Sequence, residues 1–302
     1  MVQHSNAIFL NSNKESKDII INFIGQSATK SLLAEVSTTP KPGLVDRISN
    51  GAHNDMNYKT FIDSANAISP YFFKMAELGY DWEDSLPELF LAIRVVGIEA
   101  ENAMYVATNH VNTHKGLIFS AGIISAAAAY VYRKFGVFDT KIIFKICTRM
   151  TFDIIENDFK KIDSKHPKTN GEKLYLKHRN KGIRGEVQSG FPTVENISLP
   201  ALKYYRKLNC NKNLSHIQVL MLLIANVDDT NVLARHNKAT LDFVKETAKS
   251  FLNKGGVFSE NGIASIWNMD DMFIQKNISS GGCADLLAIT IMIYDLSKGI
   301  PK

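Results

Sequence analysis

LIFSAGIISAAAAYVY, residues 117–132, is the stretch that decides how this chain folds. It carries no charge, and at about sixteen residues it falls short of the roughly twenty that cross a bilayer as a helix. Ser120, Ala121, Gly122, Ser125 and the alanines 126–129 present so little bulk that neighbouring backbones can come close. A helix of that composition belongs in the middle of a bundle of other helices.

Helical periodicity surrounds it on both sides. Upstream, Ile20, Phe23, Ile24, Ala28, Leu32 and Val36 mark a first helix over 18–38. Asn57 caps a second over 58–78, which Pro70 kinks and Gly79 ends. A third, over 86–108, carries Arg94, Glu99 and Glu101 beside its apolar face, and these require partners wherever they are buried. Downstream, the same test finds helices over 139–159, 197–208, 214–227, 238–254, 260–276 and 283–296. Residues 160–190 lack periodicity and are broken by Pro167, Gly171, Gly182, Gly185 and Gly190, a long connection of the kind that is usually functional or disordered. With no strand–loop–helix alternation, no GxGxxG and no Walker loop, the expected fold is all-α: one catalytic domain over 18–302 of roughly ten helices, behind a loose extension over 1–17.

Composition narrows the function. The chain has 302 residues, 45% hydrophobic, with a net charge of +5, enough for a sizeable core. Its Lys and Arg residues are scattered rather than striped, which argues against nucleic acid and leaves room for a small anionic substrate. Three widely spaced cysteines without a CxxC suggest neither a disulfide framework nor a zinc site and fit a reducing cytoplasm. The first 17 residues lack the pattern of a signal peptide, and no membrane association is expected.

Polar, glycine-bearing clusters recur at the helix junctions. PKPGLVDRISNGAHNDM (40–56) cannot be helical, since its prolines stop the first helix and Gly43 and Gly51 allow sharp turns. It bears Lys41, Asp46, Arg47, His53 and Asp55, cations to take phosphate oxygens and carboxylates to take a metal. Asn112, Thr113, His114, Lys115 and Gly116 lead into the central helix, where free N–H groups either receive a cap or bind phosphate. Arg184 and Glu186 sit between glycines; Asp228 and Asp229 follow a very apolar helix, with Arg235 further on; Gly281 and Gly282 open the last helix. Five such clusters can converge at one end of a bundle.

The strings PKPGLVDRISNGAHNDM, NTHKGLIFSAG, GIRGEVQSGFP, DDTNVLARH and GGCADLLA, in this order, resemble the triphosphoribosyl-dephospho-CoA synthase family over about residues 33–296. The departures are Asn57 where an Asp is usual, Ser280 where a Pro is common and Cys283 where a Ser or Ala is common. The resemblance implies a cytoplasmic pentosyltransferase that takes ATP and 3′-dephospho-CoA, joins the triphosphoribosyl group to the 2′-hydroxyl of the acceptor and releases adenine. The product would be the prosthetic-group precursor of citrate lyase, or of malonate decarboxylase, handed on to a carrier-protein transfer enzyme. No phosphoanhydride breaks, so the phosphates need only be held. By analogy with glycoside hydrolysis, positive charge should develop on the ribose. On this reading Asp229, with Glu186 second, is the catalytic base, and His53 or His114 assists adenine. Lys41, Arg47, Asn112, Thr113, Lys115, Arg184, Arg235, Gly281 and Gly282 hold substrate, while Asp46, Asp55 and Glu101 meet Mg²⁺ or ribose. An all-α metal-dependent nucleotide hydrolase would share the clusters but release phosphate or pyrophosphate, and a helical binding module would release nothing.

Overall fold

Among the described residues of this computed structural model (2–167 and 169–301, with side chains from residue 16 onward apart from residue 170) there are thirteen α-helices and no strand. They are α1 Val2–Ser37, α2 Tyr58–Asp81, α3 Leu86–Ala107, α4 Lys115–Phe135, α5 Thr140–Lys160, α6 Asn170–His178 and α7 Gly182–Gln188. After a π-helical turn, Val194–Ser198, follow α8 Leu199–Lys207, α9 Lys212–Asn226, α10 Thr230–Arg235, α11 Lys238–Asn253, α12 Gly262–Gln275 and α13 Gly281–Leu296.

The 117–132 stretch lies inside α4, which packs against α1, α2, α3, α5 and α13. By length and composition α4 qualifies as a membrane span, but 72% of its most apolar window is buried against those neighbours. Glycine permits the closest approaches. A Cβ on Gly79 of α2 would run into the Ala126 carbonyl, one on Gly122 into the Met75 sulfur, and one on Gly25 of α1 into the Phe73 ring. Helix α13, almost wholly apolar and buried over most of its length, is the second central rod. The end of α4 is set by Gly136 in the left-handed conformation (φ 71°), with Arg133 and Lys134 in the last turn where the helix dipole favours cations.

The all-α class expected from the sequence holds, with more helices than the periodicity showed. α6, α7 and α10, of nine, seven and six residues, occupy stretches expected to be loop, because such short polar elements give too few apolar repeats to register. α2 runs past Gly79 to Asp81, since that glycine serves the contact with α4 rather than ending the helix. α1 is helical from Val2, through the segment expected to be a loose extension, and Ile20, Ile21 and Ile24 are buried on it. The three cysteines are unpaired.

Because Gly79 meets backbone rather than a flexible side chain, Gly79→Ala should cost about 1–3 kcal/mol of stability. Gly97→Ala on α3, whose new Cβ would find only Met75 Cε at 3.8 Å, should cost nothing and gain a few tenths. Urea denaturation of the two variants checks the contrast.

Candidate active site

The polar clusters converge where α4, α7, α10 and α13 present their N-terminal turns. Two adjoining cavities open there, of about 540 and 330 Å³. The larger is lined by Glu101, Arg184, Glu186, Asp228, Asp229, Lys245 and Gly282, the smaller by Glu35, Lys41, His53, Asp55, Thr113, His114, Arg235 and Gly281. Asn112, Lys115, Gly116, Asn231 and Asp285 line both and form the seam.

The loop over 40–56 is ordered and half of it is core. Gly43 donates its N–H to Asp270 Oδ1 at 2.8 Å, and a side chain at that position would collide with the Ile278 carbonyl. Asp46 is buried, and both of its oxygens are taken within the loop: Oδ1 accepts from the Ile48 and Ser49 N–H groups (2.8 and 3.0 Å), Oδ2 from Lys41 N–H (3.1 Å). It lines neither cavity, so the expected metal or ribose role is corrected to a turn-forming one. Arg47 is also corrected: it is exposed and lines neither cavity. Lys41 does reach the smaller cavity, buried in an ion pair with Glu35. Burial pushes the Glu35 carboxyl up, and Lys41 opposes that shift.

Asp229 is the N-cap of α10. Its Oδ1 accepts from Asn231 and Val232 N–H (2.8 and 3.2 Å), while Oδ2 accepts from Cys283 N–H at 2.8 Å, tying α10 to the first turn of α13. Gly282 and Gly281 are required there, since side chains would press on Asp229 and Asn231. Glu186 is similarly engaged, accepting from Thr193 N–H (2.8 Å) and Oγ1 (3.0 Å). Burial raises both carboxyls, and the hydrogen bonds oppose it. These two expected bases face the larger cavity with their oxygens already holding backbone in place.

Asp285 is different, and the sequence reading gave it no role. It lines both cavities and makes no hydrogen bond or ion pair among the described residues. Burial raises its carboxyl well above the usual range, and Glu35 and Asp229 add to the shift. Gly116 lets it sit against the first turn of α4, because a Cβ there would strike Asp285 Oδ2. The available signal was an acid set in the otherwise apolar run GGCADLLAITIMIY.

On the smaller cavity, His53 bridges Ser279 Oγ (Nε2, 2.9 Å) and Arg235 (Nδ1, 3.1 Å), with Asp55 at 3.8 Å. Burial and the Arg235 guanidinium lower its pKa, against the pull of Asp55. His114 is fully buried; its Nδ1 meets Ser64 Oγ at 2.7 Å and Nε2 has no partner. Thr113 Oγ1 donates to Ser64 Oγ at 2.7 Å, so the Ser64 hydrogen is available to Nδ1. Burial, then Lys41, takes the His114 pKa down to about 3, so it stays neutral rather than serving as the proton-delivering acid expected.

Lys115 pairs with Glu101 at 2.7 Å across the mouth of the larger cavity. Arg184 rests over the Phe159 ring (6.0 Å) and has no ion pair among the described residues. The expected metal trio does not assemble: no group of three or more His, Cys, Asp or Glu converges among the described residues. Asp55 and Glu101 face different cavities.

A model of the ATP:dephospho-CoA triphosphoribosyl transferase family matches residues 21–302. The chain belongs to this family. Among its relatives is a probable 2-(5''-triphosphoribosyl)-3'-dephosphocoenzyme-A synthase from Malonomonas rubra, 39% identical over 91% of this chain and 88% of the relative. Proteins of the same name from Lactiplantibacillus plantarum (40%, covering 91% and 96%) and Photobacterium profundum (37%, covering 94% and 90%) are also similar. No solved structure matches. The family match spans both cavities, including Asp285 at their seam.

With a folded pKa near 3 and an unfolded one near 6.5, His114 contributes stability that is fully present above about pH 6.5 and fades as pH falls toward 3. Between pH 7 and pH 5 the loss is about 2 kcal/mol. His114→Asn should therefore show a smaller drop in Tm over that interval than the parent. The buried His216, held at about 4 by burial and Arg206, contributes equally to both proteins, so thermal melts at the two pH values isolate His114.

Proposed function

We propose that the chain joins the triphosphoribosyl group of ATP to the 2′-hydroxyl of 3′-dephospho-CoA with release of adenine. The observation that carries the reading is the pair of cation-bearing cavities meeting at one carboxylate, Asp285, that no protein group occupies. A two-substrate transfer needs this arrangement; a hydrolase needs one cavity and a water.

In the reaction the bond between ribose C1 and adenine breaks, the bond from that carbon to the acceptor oxygen forms, and the hydroxyl proton must go to a base. Asp285 is placed to take that proton and to face the positive charge developing on the ribose. Its partly buried, anion-flanked setting makes it a stronger base than an exposed aspartate. His114 lines the smaller cavity, and its buried Nε2 has no protein partner. In the smaller cavity the start of α4, Lys115 and Arg235 attract the triphosphate; in the larger, Arg184, Lys245 and the Lys115 ammonium serve the acceptor's phosphates. Magnesium fits as a companion of the triphosphate, since it takes phosphate oxygens plus one or two carboxylates, and Asp55 faces the smaller cavity. The product would be the precursor of the citrate lyase prosthetic group, passed on to a carrier-protein transfer enzyme in the cytoplasm.

Incubation with ATP, Mg²⁺ and dephospho-CoA, followed by separation of the bases, should yield adenine only when the acceptor is present. Phosphate or pyrophosphate release would replace this reading with hydrolysis, and no product would leave a binding module. Asp285→Asn should lower kcat by roughly 10²–10⁴ while stability holds or rises, because the substitution removes a carboxylate repelled by Glu35 and Asp229. Asp229→Asn should lose about 1–3 kcal/mol as well, since the Cys283 N–H would face an amide donor. Adenine release and thermal melts of the two variants, run side by side, separate the base from the staple.

A further inference from the structure

A third cavity, of about 260 Å³, lies among α2, α3, α4 and α5 and continues from the larger one. Glu101, Lys115, Phe119 and Arg184 line both, so the charged wall of the larger cavity is the entrance of the third. Apart from these charges the lining is largely apolar, with Phe90, Ile93, Ile118 and Ile155 among it, and the Arg94–Asp158 ion pair (2.8 Å) borders it as well. A charged wall shared with the larger cavity and a largely apolar remainder distinguish it from a uniform packing gap.

Gly97 on α3 shows that the space is kept open. Glycine within a helix is destabilising relative to alanine, and at Gly25, Gly79, Gly116 and Gly122 a neighbour that would collide with a Cβ explains it. At Gly97 nothing does: a Cβ would meet only Met75 Cε, at 3.8 Å, and would point into the third cavity.

Resting on the reading above, we propose that this cavity binds the pantetheine arm of the acceptor, with the arm's phosphate end held at Lys115 and Arg184. The chemistry runs in the same order: a pyrophosphate, then a largely apolar arm with a dimethyl branch and two amides, then a thiol. ATP has no such arm. The cavity therefore assigns dephospho-CoA to the larger cavity and ATP to the smaller one, and it gives the protein a means of preferring dephospho-CoA over a plain nucleoside diphosphate with the same 2′-hydroxyl.

The test fills the gap. Gly97→Leu, with Gly97→Ala as a smaller step in case the leucine variant folds poorly, is compared with the parent by calorimetric titration with dephospho-CoA and with ADP. The parent should bind dephospho-CoA at least roughly tenfold more tightly than ADP, with a more negative heat-capacity change from apolar burial. Gly97→Leu should lose most of that preference while ADP binding stays as in the parent, and Gly97→Ala should lose part of it. Equal parental affinity for the two ligands, or an unchanged preference in both variants, overturns the proposal. Binding is read without turnover, so a failure here is separable from failure of adenine release, which would overturn the transferase reading alone.

Discussion

How closely α4 can approach its neighbours is the constraint on which the rest of the structure depends. Its small residues let the backbone of α2 come to contact at Gly79 and Ala126, and that contact fixes the position of α4 in the bundle. A rod so held delivers its N-terminal turn, with Asn112 through Gly116, to one end of the molecule. There Gly116 repeats the device on a smaller scale: without a side chain of its own, it leaves space for the Asp285 carboxyl of α13. Packing and chemistry thus use the same property, the absence of a Cβ, at opposite ends of the argument. Bulk added at Gly79 would act on the site by moving α4 against α2 at Ala126, a residue that lines none of the three cavities.

The site also divides its carboxylates by task. Asp46, Asp229, Asp270 and Glu186 each accept backbone N–H groups and hold a loop or a helix start where it is needed. Asp285 accepts none. A buried carboxylate with several N–H donors has its charge balanced locally and is a poor base toward substrate, whereas one without donors, near other anions, gains most from a proton or a cation. Asp270, raised to about 6 by burial despite its bond to Gly43, lies between these extremes. The chemistry available to each acid follows from what its oxygens already touch.

This division explains what the sequence could show. The helices α1 to α5, α8, α9 and α11 to α13 were legible because each repeats its apolar positions at helical spacing. Helices α6, α7 and α10 were not, and α7 and α10 both carry site residues. The convergence of the junction clusters was legible from their composition. Which acid within them is free was not, because Asp46, Asp229 and Asp285 look alike until the fold decides where the backbone donors lie. Arg47, one residue from Asp46, turns outward because the turn that Asp46 builds sends the next side chain to solvent. Glu35 did leave a trace, a charge at the end of an apolar helical face, and its partner Lys41 across the prolines completes the pair.

Three departures from good local structure fall at the adjoining cavities. His114, whose Nε2 has no partner, lines the smaller cavity, the unpartnered Asp285 stands at the seam, and the unfilled space at Gly97 borders the third cavity beyond the larger one. Packing defects scattered at random would not be expected to lie on the walls of adjoining cavities. The remaining buried atom without a partner, Ser280 Oγ, sits at the N-cap of α13 between Ser279 and Gly281, which line the smaller cavity themselves. Local rules are commonly broken where a ligand completes the structure. A buried ring nitrogen lacks a hydrogen-bond partner, a repelled acid a cation or a proton, and a gap an apolar arm. Each would be relieved by a different part of the two substrates, and the order of the three along the cavities is the order in which triphosphate, reacting ribose and pantetheine would have to lie.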